Sequence, residues 1–463
     1  MTLELPADTT RAIDAAAVES LRLNLGGAAL LPGDDGYDEA RTIYNGMFDR
    51  HPALIVRCAA TGDVVKAVRF AREHDLIVSV RGGGHNFAGN AVCEGGLMVD
   101  LTPMKGIRVD PVARRVRAQG GVTWRELDRE CQVFGLATTG GTISSTGIAG
   151  LTLGGGFGWL GRTHGLSCDN LVSADVVLAD GSVATASENE NADLFWGLRG
   201  GGGNFGVVTS FEYRVHPVGQ VLGGMLIYPV ERAKEVLRTV RDFCATAPNA
   251  SGVMGALMTT PEGAQVLAVL VFHGGPVEEG EAVFRPLREQ TAPMADLVGP
   301  MSYEQVQSQL DEGFPFGLQN YAKSEFLTSL PDEAIDVIVD CFTKTPSPLS
   351  ALVLEQFGGA YADVAADATA FGHRDWDFNL LFLSRWADPS DADRNIQWAR
   401  EGWKAVQPYA AGAVYVNYLE AGQEGADRIR AAYGANYDRL ATLKATYDPT
   451  NFFQVNQNIK PTA

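Results

Sequence analysis

Clusters of positive charge are missing from this sequence: no run of Lys and Arg stands out anywhere, and the 463 residues carry a formal net charge of -19. Nucleic acid and anionic membranes are therefore excluded as partners, since both need a basic face. Long apolar runs are missing too, so no membrane span is expected. The opening residues, MTLELPADTTRAIDAAAVESLR, lack the charged-then-apolar pattern of a secretory signal, and the expected location is the cytoplasm. Cysteine is sparse. Cys58, Cys93, Cys131, Cys168, Cys244 and Cys341 include no C-x-x-C pair, which fits neither a zinc site nor a disulfide framework, and no metal is expected. Apolar residues, by contrast, make up 46% of the chain, enough to fill the cores of two domains or of one large one.

Glycine is concentrated rather than spread. The β-branched run Leu76–Val80 ends in Arg81-Gly82-Gly83-Gly84-His85-Asn86, which predicts a strand, a tight loop and a reactive side chain. Three glycines let a backbone take positive φ and leave its N–H groups open to a large phosphate-bearing ligand. Upstream, Ala53–Cys58 reads as a strand and Asp63–His74 as an amphipathic helix, so the loop closes a βαβ unit. Residues 1 to about 50 are helical and polar in character, with a turn at Tyr44-Asn45-Gly46. Strands follow at Leu97–Leu101 and Val116–Gln119. A helix starts at Thr123, where Glu126 completes a capping box and Leu127, Cys131 and Phe134 form the inner stripe.

A second glycine-rich tract spans Thr138–Trp159 and reads as cofactor wall. Gly156-x-Gly158-x-x-Gly161 and Gly201-x-Gly203-x-x-Gly206 match the dinucleotide fingerprint as text, but neither opens a helix after a strand, so a Rossmann fold is rejected. From Pro217 onward, strands (Leu222–Tyr228, Val266–Phe272, Ala351–Phe357, Phe378–Trp386) alternate with helices (Glu231–Cys244, Asp332–Phe342, Ala392–Val406, Ala426–Lys444). This predicts an α+β layer, an antiparallel sheet covered by helices. Val414–Leu419 reads as a further strand. The amide-rich tail Tyr447–Ile459 suits a flat heterocycle or a pyrophosphate.

Five blocks in order, Arg81–His85, Leu153–Trp159, Gly165–Asn170, Leu194–Gly206 and Tyr447–Asn458, closely resemble the berberine-bridge-enzyme-like flavoprotein oxidases of the vanillyl-alcohol-oxidase, or p-cresol-methylhydroxylase, superfamily. Within that family the chain is similar to the 6-hydroxynicotine oxidases and to bacterial secondary-metabolite tailoring oxidases. The resemblance implies an FAD-binding domain over residues 1–215, a substrate-binding domain over 216–430, and a C-terminal segment, 431–463, completing the FAD domain. It implies FAD bound by Arg81, Gly82, Gly83, Gly84, His85, Asn86, Gly89, Gly141, Thr142, Ser145, Thr146, Gly147, Gly150, Leu151, Gly154, Gly206, Val208, Asn456 and Asn458. His85 is implied as the covalent anchor of the flavin 8α-methyl group through a ring nitrogen. Many relatives attach the flavin a second time through a cysteine; Ile143 stands there, so one link is expected. Gly141 falls where a bulkier residue hinders oxygen in some relatives, which favours an oxidase releasing hydrogen peroxide. Thr146 and Leu151 would line the same side.

Oxidation of an alcohol or amine carbon needs a base for the heteroatom proton. Asn417-Tyr418 matches the family's pair, and strand alternation places Tyr418, not Tyr415, toward the flavin. Gln356 and Asn379 are the expected polar contacts to substrate. The strand from Phe378 lacks the tyrosine or glutamate that relatives often present, which predicts an apolar pocket and an aromatic, alkaloid-like or polyketide-like substrate, with O2 as second substrate. A carbohydrate (oligosaccharide) oxidase, an oxygenase holding oxygen at flavin N5, and a catalytically idle flavin-binding protein are the alternatives. The expected assembly is a monomer or homodimer.

Overall fold

The βαβ unit forms as its pattern predicts. In the computed structural model, which describes residues 13–420 and 425–462, strands Leu54–Arg57, Leu97–Asp100 and Val78–Arg81 pair in parallel, with Leu97–Asp100 in the centre. Helix Thr61–Glu73 crosses between the outer two and buries Val64, Ala67, Val68 and Ala71 against them. Strand Ala28–Leu30 adds an antiparallel edge, so the polar, helical reading of the first 50 residues holds for helices Ala15–Asn24 and Tyr37–Arg41 and fails between them. The first twelve residues of that reading lie outside the described residues.

A five-stranded antiparallel sheet follows, with Val207–Arg214 between Arg115–Gln119 and Leu171–Val177. The Gly201–Gly206 tract thus runs into a strand, as the rejection of a Rossmann turn requires. Glu126 accepts the Thr123 N–H (2.8 Å) and closes the predicted capping box. That helix stops at Gln132, which leaves Phe134 49% exposed instead of on the inner stripe.

The remaining large sheet is antiparallel with eight strands, among them Val221–Pro229, Gln265–His273, Ser251–Thr259, Ala351–Gln356, Phe378–Trp386 and Gln319–Leu327. Period-two alternation gives it two different faces. Leu352, Leu354, Phe378, Leu380 and Phe382 point to one side, where helices Ala233–Cys244, Asp332–Phe342 and Ala392–Val406 cover them in one core. Ala351, Val353, Glu355, Leu381, Leu383 and Arg385 point to the other side, into a cavity. The expectation of an α+β layer with helices on one side holds.

Two C-terminal expectations need correction. Val414–Leu419 is not a strand: Val416–Tyr418 forms a single 3₁₀ turn closed by the Leu419 N–H on the Val416 carbonyl (3.3 Å). The long helix expected over Ala426–Lys444 is broken, Gly425–Tyr433 and Tyr437–Tyr447 being separated by a short turn at Gly434, whose φ of +52° interrupts the helical ladder. Beyond it, the buried Lys444 ammonium binds Asp448 (2.7 Å) and the carbonyls of Asn204 (2.6 Å) and Phe453 (2.9 Å), fastening the amide-rich tail onto the Gly200–Asn204 loop.

Candidate active site

A cavity of about 850 Å³ lies between the glycine-rich segments and the uncovered face of the large sheet. One wall is backbone. Gly82, Gly83, Gly84, His85 and Asn86 line it, with Gly141, Thr142, Thr146, Gly147, Gly150 and Leu151 opposite and Gly206, Val208 and Asn456 further along. Gly83 and Gly147 touch backbone to backbone: a Cβ on either would collide with the other's amide. Gly84 has φ of +73°, open to glycine without strain. The cradle therefore depends on missing side chains, as the loop's composition predicts.

Five of the expected cofactor residues stand off the main cavity. Arg81 turns beneath the loop and donates to the Ala40 carbonyl. Gly89 (φ +69°) packs on Phe48, and Gly154 makes room for the Asn417 amide. Asn458 lines a smaller neighbouring cavity of about 220 Å³. Ser145 acts through another residue: its Oγ lies 3.0 Å from His85 Nε2. The His85 ring stacks on Tyr44 (centroids 4.6 Å) and meets the edge of Phe316. Burial drives its pKa down to about 4, so the imidazole is neutral around pH 7.

Across the cavity stands a residue absent from the sequence-based candidates. Glu355 is 6% exposed, accepts from Tyr418 Oη (2.9 Å) and Asn379 Nδ2 (2.6 Å), and is pushed up to about 8 by loss of hydration. The two donors favour the anion and oppose the burial. Tyr418 shifts the other way from what a free base needs: burial, then the Glu355 charge, hold its phenol well above 10. The signal was in the sequence, since Ala351, Val353 and Glu355 alternate toward one face.

Gln356 points to the opposite face, where its amide is engaged by the Val253 N–H (3.1 Å) and the Cys244 carbonyl (3.3 Å). It does not reach the cavity. Asn379 reaches it only through Glu355. Strand alternation also misplaces Tyr415, because a 3₁₀ turn carries both tyrosines to the cavity; Tyr415 Oη accepts from the Gly156 N–H (3.1 Å) and Asn417 Nδ2 (2.7 Å), and its ring lies edge-on to Tyr418. The apolar pocket is there, built by Leu381 and Leu383 with Val353, Met225, Met254 and Leu270.

This donor set fits a flavin nucleotide. The glycine cradle offers backbone N–H groups that a Cβ would hide, and Asn456 Oδ1 and Asn458 Oδ1 are buried without a partner among the described residues. Residues 52–187 match the model of an FAD-binding domain, and residues 414–460 match that of berberine and berberine-like proteins. An FAD-linked oxidoreductase of Dictyostelium discoideum is 34% identical over 89% of each chain. The chain belongs to the berberine-bridge-enzyme-like family of FAD-linked oxidoreductases. Another member of this family, the (R)-6-hydroxynicotine oxidase of Paenarthrobacter nicotinovorans, is 32% identical over 95% of this chain and 98% of its own. The solved 6-hydroxy-D-nicotine oxidase of Arthrobacter nicotinovorans superposes with a TM-score of 0.87 at 30% identity, covering 95% of this chain and 99% of that one. The protein is thus an FAD-dependent oxidoreductase. None of its helices, among the described residues, is long and apolar enough to cross a membrane.

Proposed function

We propose that the protein is an oxidase with FAD attached once, through His85, that oxidises a C–OH or C–NH carbon of an apolar, aromatic or polyketide-like molecule and releases hydrogen peroxide. The observation that carries this reading is that His85 and the Glu355–Tyr418 pair face one cavity from opposite walls. With Nε2 held by Ser145, the His85 ring has Nδ1 left for the flavin methyl group. Among the described residues no cysteine lines the cavity, and Ile143 does, which supports a single link. Residues 1–215 with 431–463 would hold the cofactor, and 216–430 the substrate.

FAD held there would supply a hydride acceptor for the substrate carbon and a route for the electrons to O2. The chain's own part is the proton. Tyr418 Oη, already donating to Glu355, keeps lone pairs toward the cavity and accepts the substrate O–H or N–H while its own proton moves to Glu355. Tyr418 is then a relay and Glu355 the base, since a phenol held above 10 cannot itself ionise near neutrality. Asn379 orients the carboxylate. Leu381, Leu383 and Val353 exclude water and favour an apolar body over a sugar. Gly141 supports oxygen access: a Cβ there would press on Leu151 Cδ1 at 3.0 Å.

Chemical reduction of the purified protein without air, followed by air and a peroxidase-coupled assay, tests this. One peroxide per flavin with full return of the oxidised spectrum is expected. A stable, altered flavin spectrum would instead favour the oxygenase, and absence of re-oxidation the idle binding protein.

A further inference from the structure

Among the described residues that line the cavity, Arg385 is the one permanent cation. It ends the row Leu381, Leu383, Arg385 on the cavity face of its strand, two residues beyond the Ala351–Leu383 pair. The side chain is 9% exposed and held in place: Nε donates to the Leu349 carbonyl (2.9 Å), Nη1 donates to the Gly313 carbonyl, and the guanidinium lies over the Phe314 ring (4.7 Å). Among the described residues no carboxylate stands within ion-pair distance of it. A buried guanidinium served by neutral partners, two carbonyls, the Tyr44 hydroxyl and a ring, is costly, and it is a strong site for an oxyanion. Glu312, on the rim, is exposed.

The surroundings define the rest of the ligand. Glu355 pairs with Asn379, six residues from Arg385, so the two ends of the row are about 20 Å apart along the strand at their Cα atoms. Between them the wall is Val353, Ala351, Leu381 and Leu383, and near Arg385 the mouth carries Met258 and Leu349, each 38% exposed. Given the oxidase reading above, on which this rests, we propose that Arg385 binds a carboxylate at the outer end of the substrate. The substrate is then an extended apolar molecule with its oxidisable C–OH or C–NH at the Glu355–Tyr418 end.

The test is equilibrium binding of a matched pair, 2-naphthoate and 2-naphthamide, to the flavin-loaded protein by calorimetry, with R385Q and R385K beside the wild type. The naphthoate should bind about tenfold to a hundredfold tighter, the worth of a charge-assisted hydrogen bond. R385Q should erase that preference and R385K restore part of it. In the wild type, naphthoate and not naphthamide should slow amide exchange in the 309–318 segment, whose Gly313 carbonyl holds the guanidinium; this readout stands if the variants fail to fold. Equal affinities, failure of both to bind, protection elsewhere, or a preference that survives R385Q would overturn the assignment. A protein that releases peroxide yet shows no carboxylate preference would refute it and leave the oxidase reading standing.

Discussion

Glu355 carries the sharpest consequences at the scale of single residues. If it takes the substrate proton, flavin reduction at limiting substrate should rise as pH passes through about 8 and level off above it, because only the carboxylate accepts a proton. Stopped-flow reduction without air should show this, and Glu355→Gln should slow it by roughly 10² to 10⁴ and flatten the profile. Tyr418→Phe breaks the relay and should slow reduction comparably while leaving flavin content unchanged. A Tyr418→Phe enzyme with wild-type reduction would mean that Glu355 meets the substrate directly. Tyr418 is legible in the sequence and Glu355 is not, because residue type alone favours its neighbour Gln356, whereas the strand's alternation decides which of two adjacent side chains faces inward.

At the scale of elements, the glycine cradle and the buried polar staples position the site. Gly83→Ala should abolish flavin loading, since the new Cβ meets the Gly147 backbone and neither chain can retreat without opening the cavity. Asn45 joins the glycine loop to the large sheet: its Nδ2 donates to the carbonyls of Phe87 and Asn320 (both 2.8 Å), and its Oδ1 accepts the Asn320 N–H (3.0 Å). Asn45→Ala strands these groups and should cost about 3 kcal/mol or more, read from denaturant unfolding. Lys444→Met leaves Asp448 buried without its cation and should cost about 3–5 kcal/mol. Elements with a strong period were legible: the βαβ unit, the capping box and the strand from Phe378 all stand where their patterns put them. Val414–Leu419 was not, because six residues of β-branched and aromatic character read the same whether they pair with a sheet or turn once against a wall. Arg385 was equally hidden, since the sequence does not say that the strand face carrying Leu381, Leu383 and Arg385 is the one turned to the cavity.

Across the whole molecule, the buried carboxyl links function to stability. The Glu355 pKa rises from 4.5 to about 8 on folding, so between those values the folded protein holds a proton that the unfolded chain has lost. Its contribution to stability is therefore present at low pH and declines as pH rises from about 4.5 to about 8. Melting temperatures of the wild type and Glu355→Gln should diverge over that interval, the glutamine variant becoming relatively more stable toward pH 9. A constant gap would show that the carboxyl titrates normally in the folded state. The acidic surface, with its net charge of -19, acts at longer range, and added salt screens it without moving the buried site.

Attachment of the flavin to His85 within this cavity can be read from the colour of the denatured protein. Purified wild type and His85→Ala, each precipitated with acid and washed, should differ in one respect: flavin absorbance stays in the wild-type pellet and leaves with the supernatant of the variant. Colour that washes out of the wild type, or that stays in the His85→Ala pellet, would rule out His85 as the anchor.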